Sequence, residues 1–217
     1  MAAITSITLV TSNLNKLREF RSILEPKIKV EHIALEFPEL RHDDSRKIAE
    51  MSAEMISQKL QKAVVVEDSG IFITALKDFP GTCSAYVHKK IGLEGILKLM
   101  NGIKELGKNG RTNRQCFYKS AVAYCEPGKK AISFLGTEEG IIAEEIKGRN
   151  GFGHDPIFIP IEKSPAKEND LEDKNADENE DDDNNVKRTY GEMQDCGQKK
   201  KFRRRAIVQL MEWLSRR

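Results

Sequence analysis

Two acidic residues stand directly after a run of β-branched residues near the first third of the chain. Valines fill positions 64–66, a pattern typical of a strand buried on both faces of a sheet, and Glu67, Asp68, Ser69 and Gly70 follow where the strand is predicted to end. Carboxylates held at the rim of a sheet can bind a divalent cation or take a proton from water. A polar turn without chemistry is an equal alternative for these residues alone.

A second polar turn joins the first predicted strand, residues 4–10, to the first predicted helix. Thr11 and Ser12 supply hydroxyl groups, Asn13 is a suitable N-cap, and Lys16 follows one turn into the helix. Such a turn can bind phosphate, because the N-terminus of a helix carries partial positive charge. It lacks the glycines of a P-loop, so a well-capped helix without a ligand is the commoner alternative.

A glycine-containing loop at residues 148–158 carries two ring side chains. Phe152 and His154 flank Gly153, so their rings can stack on a flat ligand, and Asp155 can accept a hydrogen bond from a base. An ordinary loop is an equal alternative.

Charge is distributed unevenly along the chain. Residues 162–185 hold eleven acidic residues against three lysines, and subtracting their charge of −8 from the total of +2 leaves +10 on the rest. The basic remainder predicts an anionic partner, such as a phosphorylated small molecule, nucleic acid or anionic lipid. Residues 162–187 have the composition of a disordered acidic insertion.

The composition also predicts the compartment. The four cysteines show no CxxC spacing, which favours free thiols in a reducing environment. The sequence contains no signal-peptide pattern and no apolar run long enough to cross a bilayer. We therefore expect a cytoplasmic protein without a membrane partner.

The order of the predicted elements indicates an α/β fold. Extended segments at 4–10, 28–35 and 64–66 alternate with helical patterns in the first part of the chain, whereas extended segments follow one another after residue 114. A Pro-Gly turn at 127–128 lies between two of these later segments and predicts an antiparallel hairpin. The sheet should therefore be mixed, with helices beside it.

Six basic residues lie between positions 199 and 205, where the last helix is predicted to begin. Cations at this end oppose the helix macrodipole, which costs stability unless an anion is nearby. The placement therefore indicates a bound anion. Nucleic acid is a weaker explanation, because only one aromatic residue is interleaved with the cations.

Taken together, these segments resemble the family of inosine/xanthosine triphosphate pyrophosphatases. The matching segments, in the family's order, are residues 11–16, 37–40, 67–70, 80–81 with 84–85, 134–136, 151–156 and 189–193. The resemblance implies one pyrophosphatase domain over residues 1–217, an elongated α/β fold whose mixed sheet is flanked by helices, and two lobes with a central nucleotide cleft. It also implies a homodimer that hydrolyses ITP, dITP and XTP to the monophosphate and pyrophosphate.

The resemblance assigns roles to individual residues. It places Glu39, Glu67 and Asp68 at a magnesium ion, with Asp68 activating the attacking water. Phe152 and His154 would stack on the base. The residues assigned to substrate binding are Thr11, Ser12, Asn13, Lys16, Ser69, Phe152, Gly153, His154, Asp155, Lys199, Phe202 and Arg203. Lys200 or Lys201 are alternatives to Lys199, because the spacing is about a residue short.

One position departs from the family's pattern. Phe202 stands where the family has a histidine that, with the following arginine, reads the 6-oxo group of the purine, and phenylalanine cannot donate that hydrogen bond. Arg203 is retained, so we expect hydrolysis with a weaker distinction between ITP and ATP. The alternative is a nucleotide- or nucleic-acid-binding protein that keeps the fold with weakened catalysis.

Overall fold

The computed structural model describes residues 4–25, 27–38, 40–103, 113–161 and 187–216. The acidic segment predicted at 162–187 lies outside these residues except for Lys187, and so does Glu39. The strands are β1 (Ser6–Val10), β2 (Lys29–Ile33), β3 (Val64–Ile73), β4 (Pro80–Gly81), β5 (Gln115–Cys125), β6 (Ile132–Ile142) and β7 (Phe158–Pro160). The helices are α1 (Leu14–Leu24), α2 (Ser45–Leu60), α3 (Ser84–Leu99), α4 (Cys196–Lys199) and α5 (Lys201–Leu214).

The strands form one seven-stranded mixed sheet, which confirms the predicted α/β fold. Its order is β2-β1-β3-β5-β6-β7, with β4 added beside β3. Strand β1 is parallel to both β2 and β3, whereas β3, β5, β6 and β7 pair antiparallel. The predicted hairpin is present, because β5 and β6 pair on either side of the turn at 127–128. None of the described helices is both long and apolar enough to cross a membrane.

Strand β3 is longer than the sequence suggests. The prediction that it ends at Glu67 is wrong, because the strand continues to Ile73 and pairs with β5 along its whole length, from Val64 opposite Cys125 to Ile73 opposite Cys116. This ladder bonds the backbone groups of alternate residues to β5 and holds residues 67–70 extended.

The opposite edge of β3 is interrupted. Strand β1 pairs there only at Val65, and β4 pairs at Ile71 and Phe72. Within the described part of the sheet, residues 66–70 of β3 therefore face no neighbouring strand on that edge. The two carboxylate residues therefore lie beside a gap in strand pairing and not at the end of a strand.

Helices cover both faces of the sheet. Val65 is buried on the face that packs against α1 and α5, while Val64 and Val66 are buried on the face that packs against α2. This alternation follows the pleat of the strand. By the same alternation, Glu67 lies on the α1 and α5 face and Asp68 on the α2 face.

The basic start of α5 is stabilised by a buried carboxylate. Glu138 on β6 accepts hydrogen bonds from the backbone N–H groups of Lys201 (2.9 Å) and Phe202 (3.2 Å), and its other oxygen accepts one from the Tyr190 hydroxyl (2.6 Å). A carboxylate at this end complements the helix macrodipole. The anion that the sequence indicates here is therefore one of the protein's own side chains.

Helix α5 also lies directly on β6 at Gly136. A Cβ atom at this position would stand 1.8 Å from the Phe202 carbonyl oxygen and 2.8 Å from the Ala206 nitrogen. Both are backbone atoms, so the helix would have to move. We predict that Gly136→Ala lowers the free energy of unfolding by at least about 2 kcal/mol, measured by urea unfolding.

Gly197→Ala is the matched control. A Cβ atom there would meet its nearest neighbour, Glu19 Cγ, at 3.6 Å, which is ordinary contact. Since alanine favours helix over glycine, this variant should be as stable as the wild type or slightly more so. Equal stability of both variants would contradict the close packing of α5 on β6.

Candidate active site

A pocket of about 770 Å³ opens at the interrupted edge of β3. Its walls come from the β1–α1 turn, the middle of β3, the start of α3, the glycine-containing loop and the start of α5. The sequence-predicted residues that line it are Thr11, Ser12, Asn13, Lys16, Glu67, Asp68, Ser69, Phe152, Gly153, His154, Asp155, Phe202 and Arg203. Lys199 is exposed and does not line the pocket. Lys200 is buried and lines the pocket.

The β1–α1 turn is held by its own side chains. Thr11 Oγ1 accepts a hydrogen bond from the Asn13 backbone N–H (3.1 Å), and Asn13 Oδ1 accepts from the N–H groups of Asn15 (2.9 Å) and Lys16 (3.3 Å). The predicted N-cap is therefore present. It fixes the turn so that the Lys16 side chain extends from the first turn of α1 toward β3.

Glu67 is buried between two cations. Its Oε2 lies 2.6 Å from Lys16 Nζ, and its Oε1 accepts hydrogen bonds from Arg203 Nε (3.0 Å) and from the Ser120 hydroxyl (2.5 Å). Burial alone would raise the pKa of Glu67, but the charges of Arg203 and Lys16 outweigh it and lower the pKa from 4.5 to about 2. Glu67 is therefore a permanent anion that organises the cations of the pocket.

Arg203 connects three elements. Its Nη1 is bonded to Glu19 on α1, its Nη2 donates to the Ser69 hydroxyl at 3.1 Å, and its Nε bonds Glu67. Burial would lower the pKa of Arg203, but the two carboxylates raise it, so the guanidinium stays charged. These contacts join α5 to α1 and β3 inside the pocket wall.

Lys200 is the buried lysine of the pocket. Its ammonium lies 2.8 Å from Asp155 Oδ2 and 3.3 Å from Glu19 Oε1, and it stands 4.0 Å from the centre of the Phe152 ring. Lys200 is 2% exposed. The sequence predicted Lys200 only as an alternative to Lys199. Its acidic partner Glu19 on α1 was not predicted, because no motif or residue spacing in the sequence distinguishes Glu19 from other acidic residues.

Asp155 stabilises the glycine-containing loop. Its Oδ1 accepts a hydrogen bond from the Tyr118 hydroxyl (3.2 Å), and its Oδ2 accepts one from the Phe152 backbone N–H (2.6 Å) in addition to the contact with Lys200. Burial raises the pKa of Asp155 although Lys200 opposes that shift. The side chain that the resemblance assigns to the purine edge is thus already bonded to the protein.

His154 is buried beside a second histidine. Its ring meets that of His88 edge-on, with 5.3 Å between ring centres, and its Nε2 makes no hydrogen bond within the described structure. Burial, with a smaller contribution from His88, lowers the pKa of His154 from 6.5 to about 3. The imidazole is therefore neutral at physiological pH.

Asp68 is the second carboxylate of β3 that lines the pocket. It follows Glu67 on β3 and lies on the opposite face of the strand, yet both residues line the pocket because the edge between β1 and β4 is open. Among the described residues, no three Asp, Glu, His or Cys side chains form a cluster that could hold a metal by themselves. The two neighbouring carboxylates thus have different surroundings and can have different functions.

The chain is similar in sequence to several known proteins. A sequence model of the Ham1 family matches residues 7–181. A dITP/XTP pyrophosphatase of Methanopyrus kandleri is 45% identical over 155 residues, which is 71% of this chain and 78% of the relative. Another, from Methanosarcina acetivorans, is 36% identical over 211 residues, which is 96% of this chain and 97% of the relative.

Solved structures share the fold. A HAM1 protein of Coxiella burnetii superposes with a TM-score of 0.73 at 22% identity, covering 99% of this chain and 100% of that one. The Ham1 protein of Staphylococcus aureus gives a TM-score of 0.67 at 25% identity, covering 95% of this chain and 97% of that one.

Burial of a neutral His154 makes stability depend on pH. Because the unfolded chain binds a proton between about pH 6.5 and pH 3 that the folded chain does not, the free energy of unfolding should fall as pH falls through this window. The expected slope is at most about 1.4 kcal/mol per pH unit, the limit for one proton. We predict that His154→Gln flattens the slope, measured by urea unfolding at pH 7, 6 and 5.

His42→Gln is the control for this measurement. His42 lies exposed in the segment before α2, so its loss should leave the wild-type slope in place. A His154→Gln variant with the full wild-type slope would show that another group titrates in this window.

Proposed function

The chain belongs to the Ham1 family, which agrees with the resemblance of its motifs, and we propose that it hydrolyses deaminated purine nucleoside triphosphates to the monophosphate and pyrophosphate. The substrates are ITP, dITP and XTP, and the reaction would clear them from the nucleotide pool. One observation carries the proposal: a single pocket joins Asp68, the cationic β1–α1 turn and the ring of Phe152. Asp68 suits the activation of an attacking water, the turn suits a phosphate chain, and the Phe152 ring suits a purine base.

The residues of the pocket divide the reaction between them. Asp68 takes a proton from the water that attacks the α-phosphorus, and the bond from that phosphorus to the pyrophosphate oxygen breaks. Lys16 lies at the turn that faces the phosphates and stabilises the charge that develops on the leaving pyrophosphate. Arg203 and Glu67 hold this lysine and β3 in position. The mechanism needs no covalent intermediate.

The donor groups suit a magnesium ion that binds together with the substrate. Mg²⁺ commonly takes one or two protein carboxylates and completes its shell with water and phosphate oxygens, so it needs no protein cage. Asp68 is the first candidate ligand, whereas Glu67 is bound by Lys16 and Arg203 and would support the site from behind. When bound, the ion would neutralise phosphate oxygens and polarise the attacking water.

The assembly and compartment belong to the same proposal. We propose a homodimer, as the resemblance implies, in the cytoplasm, as the composition predicts. The free thiols of Cys83, Cys116 and Cys125 support a reducing compartment.

A substrate panel tests the proposed activity. Purified protein is incubated with Mg²⁺ and ITP, dITP, XTP, GTP or ATP, and both pyrophosphate and the nucleoside monophosphate are quantified. We expect the three deaminated nucleotides to give the largest kcat/KM, with pyrophosphate and monophosphate in equal amounts. Tight binding of ITP without release of pyrophosphate would favour a binding protein over an enzyme.

Asp68→Asn tests the assignment of the general base. The amide keeps the shape of the carboxylate but cannot take a proton, so kcat for ITP should fall by about a hundredfold or more, while the affinity for ITP measured by calorimetry without Mg²⁺ stays within a few-fold of the wild type. Asp43→Asn, in the exposed segment before α2, should keep wild-type kcat. Full activity of the Asp68 variant would assign the proton transfer to another group.

A further inference from the structure

A histidine at the edge of the sheet contacts the backbone of the β1–α1 turn. His32 lies on β2, the first strand in the order of the sheet, and its Nε2 is 2.8 Å from the Thr11 carbonyl oxygen. A carbonyl oxygen only accepts hydrogen bonds, so Nε2 carries a proton and donates it. The turn is thus held from a neighbouring strand as well as by its own side chains.

All three polar atoms of Thr11 are engaged. The N–H group donates to the Ile33 carbonyl oxygen on β2 at 3.2 Å, and Oγ1 accepts from the Asn13 N–H at 3.1 Å. The N–H and the carbonyl group of Thr11 are therefore both directed to β2, as in a residue of a strand that pairs on that side. Thr11 continues the course of β1 by one residue before the chain turns.

The contact with His32 sets the direction of the next peptide group. The peptide bond between Thr11 and Ser12 is trans, so its carbonyl oxygen and its N–H point in opposite directions. Because β1 lies between β2 and β3, a carbonyl directed to β2 turns the Ser12 N–H toward β3. This is the side of the interrupted edge, where Ser12 lines the pocket together with residues 67–70.

The Ser12 N–H is a donor that a ligand can use. Within the part of the chain that the structure describes it makes no hydrogen bond, whereas the N–H groups of Asn15 and Lys16 are already bonded to Asn13. A phosphate oxygen at the turn can accept from it. If the peptide group were reversed, the Thr11 carbonyl oxygen would face the phosphate, and two acceptors without a proton between them would be opposed.

We propose that His32 is a positioning residue for the hydrolysis: by holding the Thr11 carbonyl on the side of β2, it keeps the Ser12 N–H directed at the phosphate chain of the substrate. The inference rests on the proposed function. His32 is not among the described residues that line the pocket, so it acts through the backbone of the turn and not by touching the substrate.

His32→Leu and His32→Gln test this role. Leucine fills a similar space without a donor, whereas glutamine carries an N–H that can donate to the Thr11 carbonyl. With Mg²⁺ present, the dissociation constant of inorganic tripolyphosphate, measured by calorimetry, and the KM for ITP should both rise about tenfold in His32→Leu. The lost contact serves the bound substrate and the transition state alike, so kcat should change by less than about threefold. His32→Gln should stay within about twofold of the wild type in all three quantities.

Glu31→Gln is the matched control on the same strand. Glu31 bonds Thr8 and Lys62 and not the turn, so this variant should bind tripolyphosphate as the wild type does. Inosine, which has no phosphate, separates the turn from the rest of the pocket, and its affinity in His32→Leu should equal that of the wild type. Equal losses of affinity for inosine and tripolyphosphate would mean that His32 only supports the fold, and would overturn the inference.

The amide signal of Ser12 reports on the peptide group directly, even if the leucine variant does not fold. In proton–nitrogen correlation spectra, tripolyphosphate should shift the Ser12 amide proton downfield in the wild type and in His32→Gln, but not in His32→Leu. A wild-type Ser12 signal that tripolyphosphate leaves in place would refute the role of His32. Absence of ITP hydrolysis, with the Ser12 shift and its dependence on His32 intact, would contradict the proposed function alone.

Discussion

Arg203 extends from the start of α5 into a buried space between α1 and β3, where Glu19 and Glu67 hold its guanidinium. Taking these charges out of water is costly, and only the complete set of partners compensates for it. Removing one partner from such a pair typically costs about 3–5 kcal/mol, because the other is left buried and uncompensated. The geometry of the pocket therefore depends on this cluster. Lys16 and Lys200 have their positions because the same carboxylates bind them.

The sheet allows the cluster to face a ligand. A continuous β3 keeps residues 67–70 rigid through its pairing with β5, while the gap between β1 and β4 opens one edge of the same residues. The pleat then directs Glu67 toward the cationic helices and Asp68 away from them. Two neighbouring carboxylates thereby obtain different surroundings, and Glu67 is bound by the cations Lys16 and Arg203.

The sequence predicted the parts of this arrangement that are local. The N-cap at Asn13, the hairpin at 127–128 and the buried valines at 64–66 follow from residue types and short spacings, and the structure confirms them. The unbroken passage of β3 through residues 67–70 could not be predicted, because it depends on pairing with β5, which lies far along the chain at Gln115–Cys125. The partners Glu19 and Glu138 were missed for the same reason. Each is an ordinary acidic residue in its own segment, and only tertiary contact gives it a role.

The contact between Glu19 and Lys200 joins residues that are 181 positions apart in the chain. Contacts of such long sequence separation carry a large entropic cost, since the intervening loop must be closed before they contribute. A chain that has formed the β5–β6 hairpin but has not yet docked α5 would lack Lys200 and Arg203 in the pocket and would leave Glu19 and Glu67 without these partners. Assembly of this end of the pocket is thus coupled to completion of the fold, so partly folded chains would lack the native pocket.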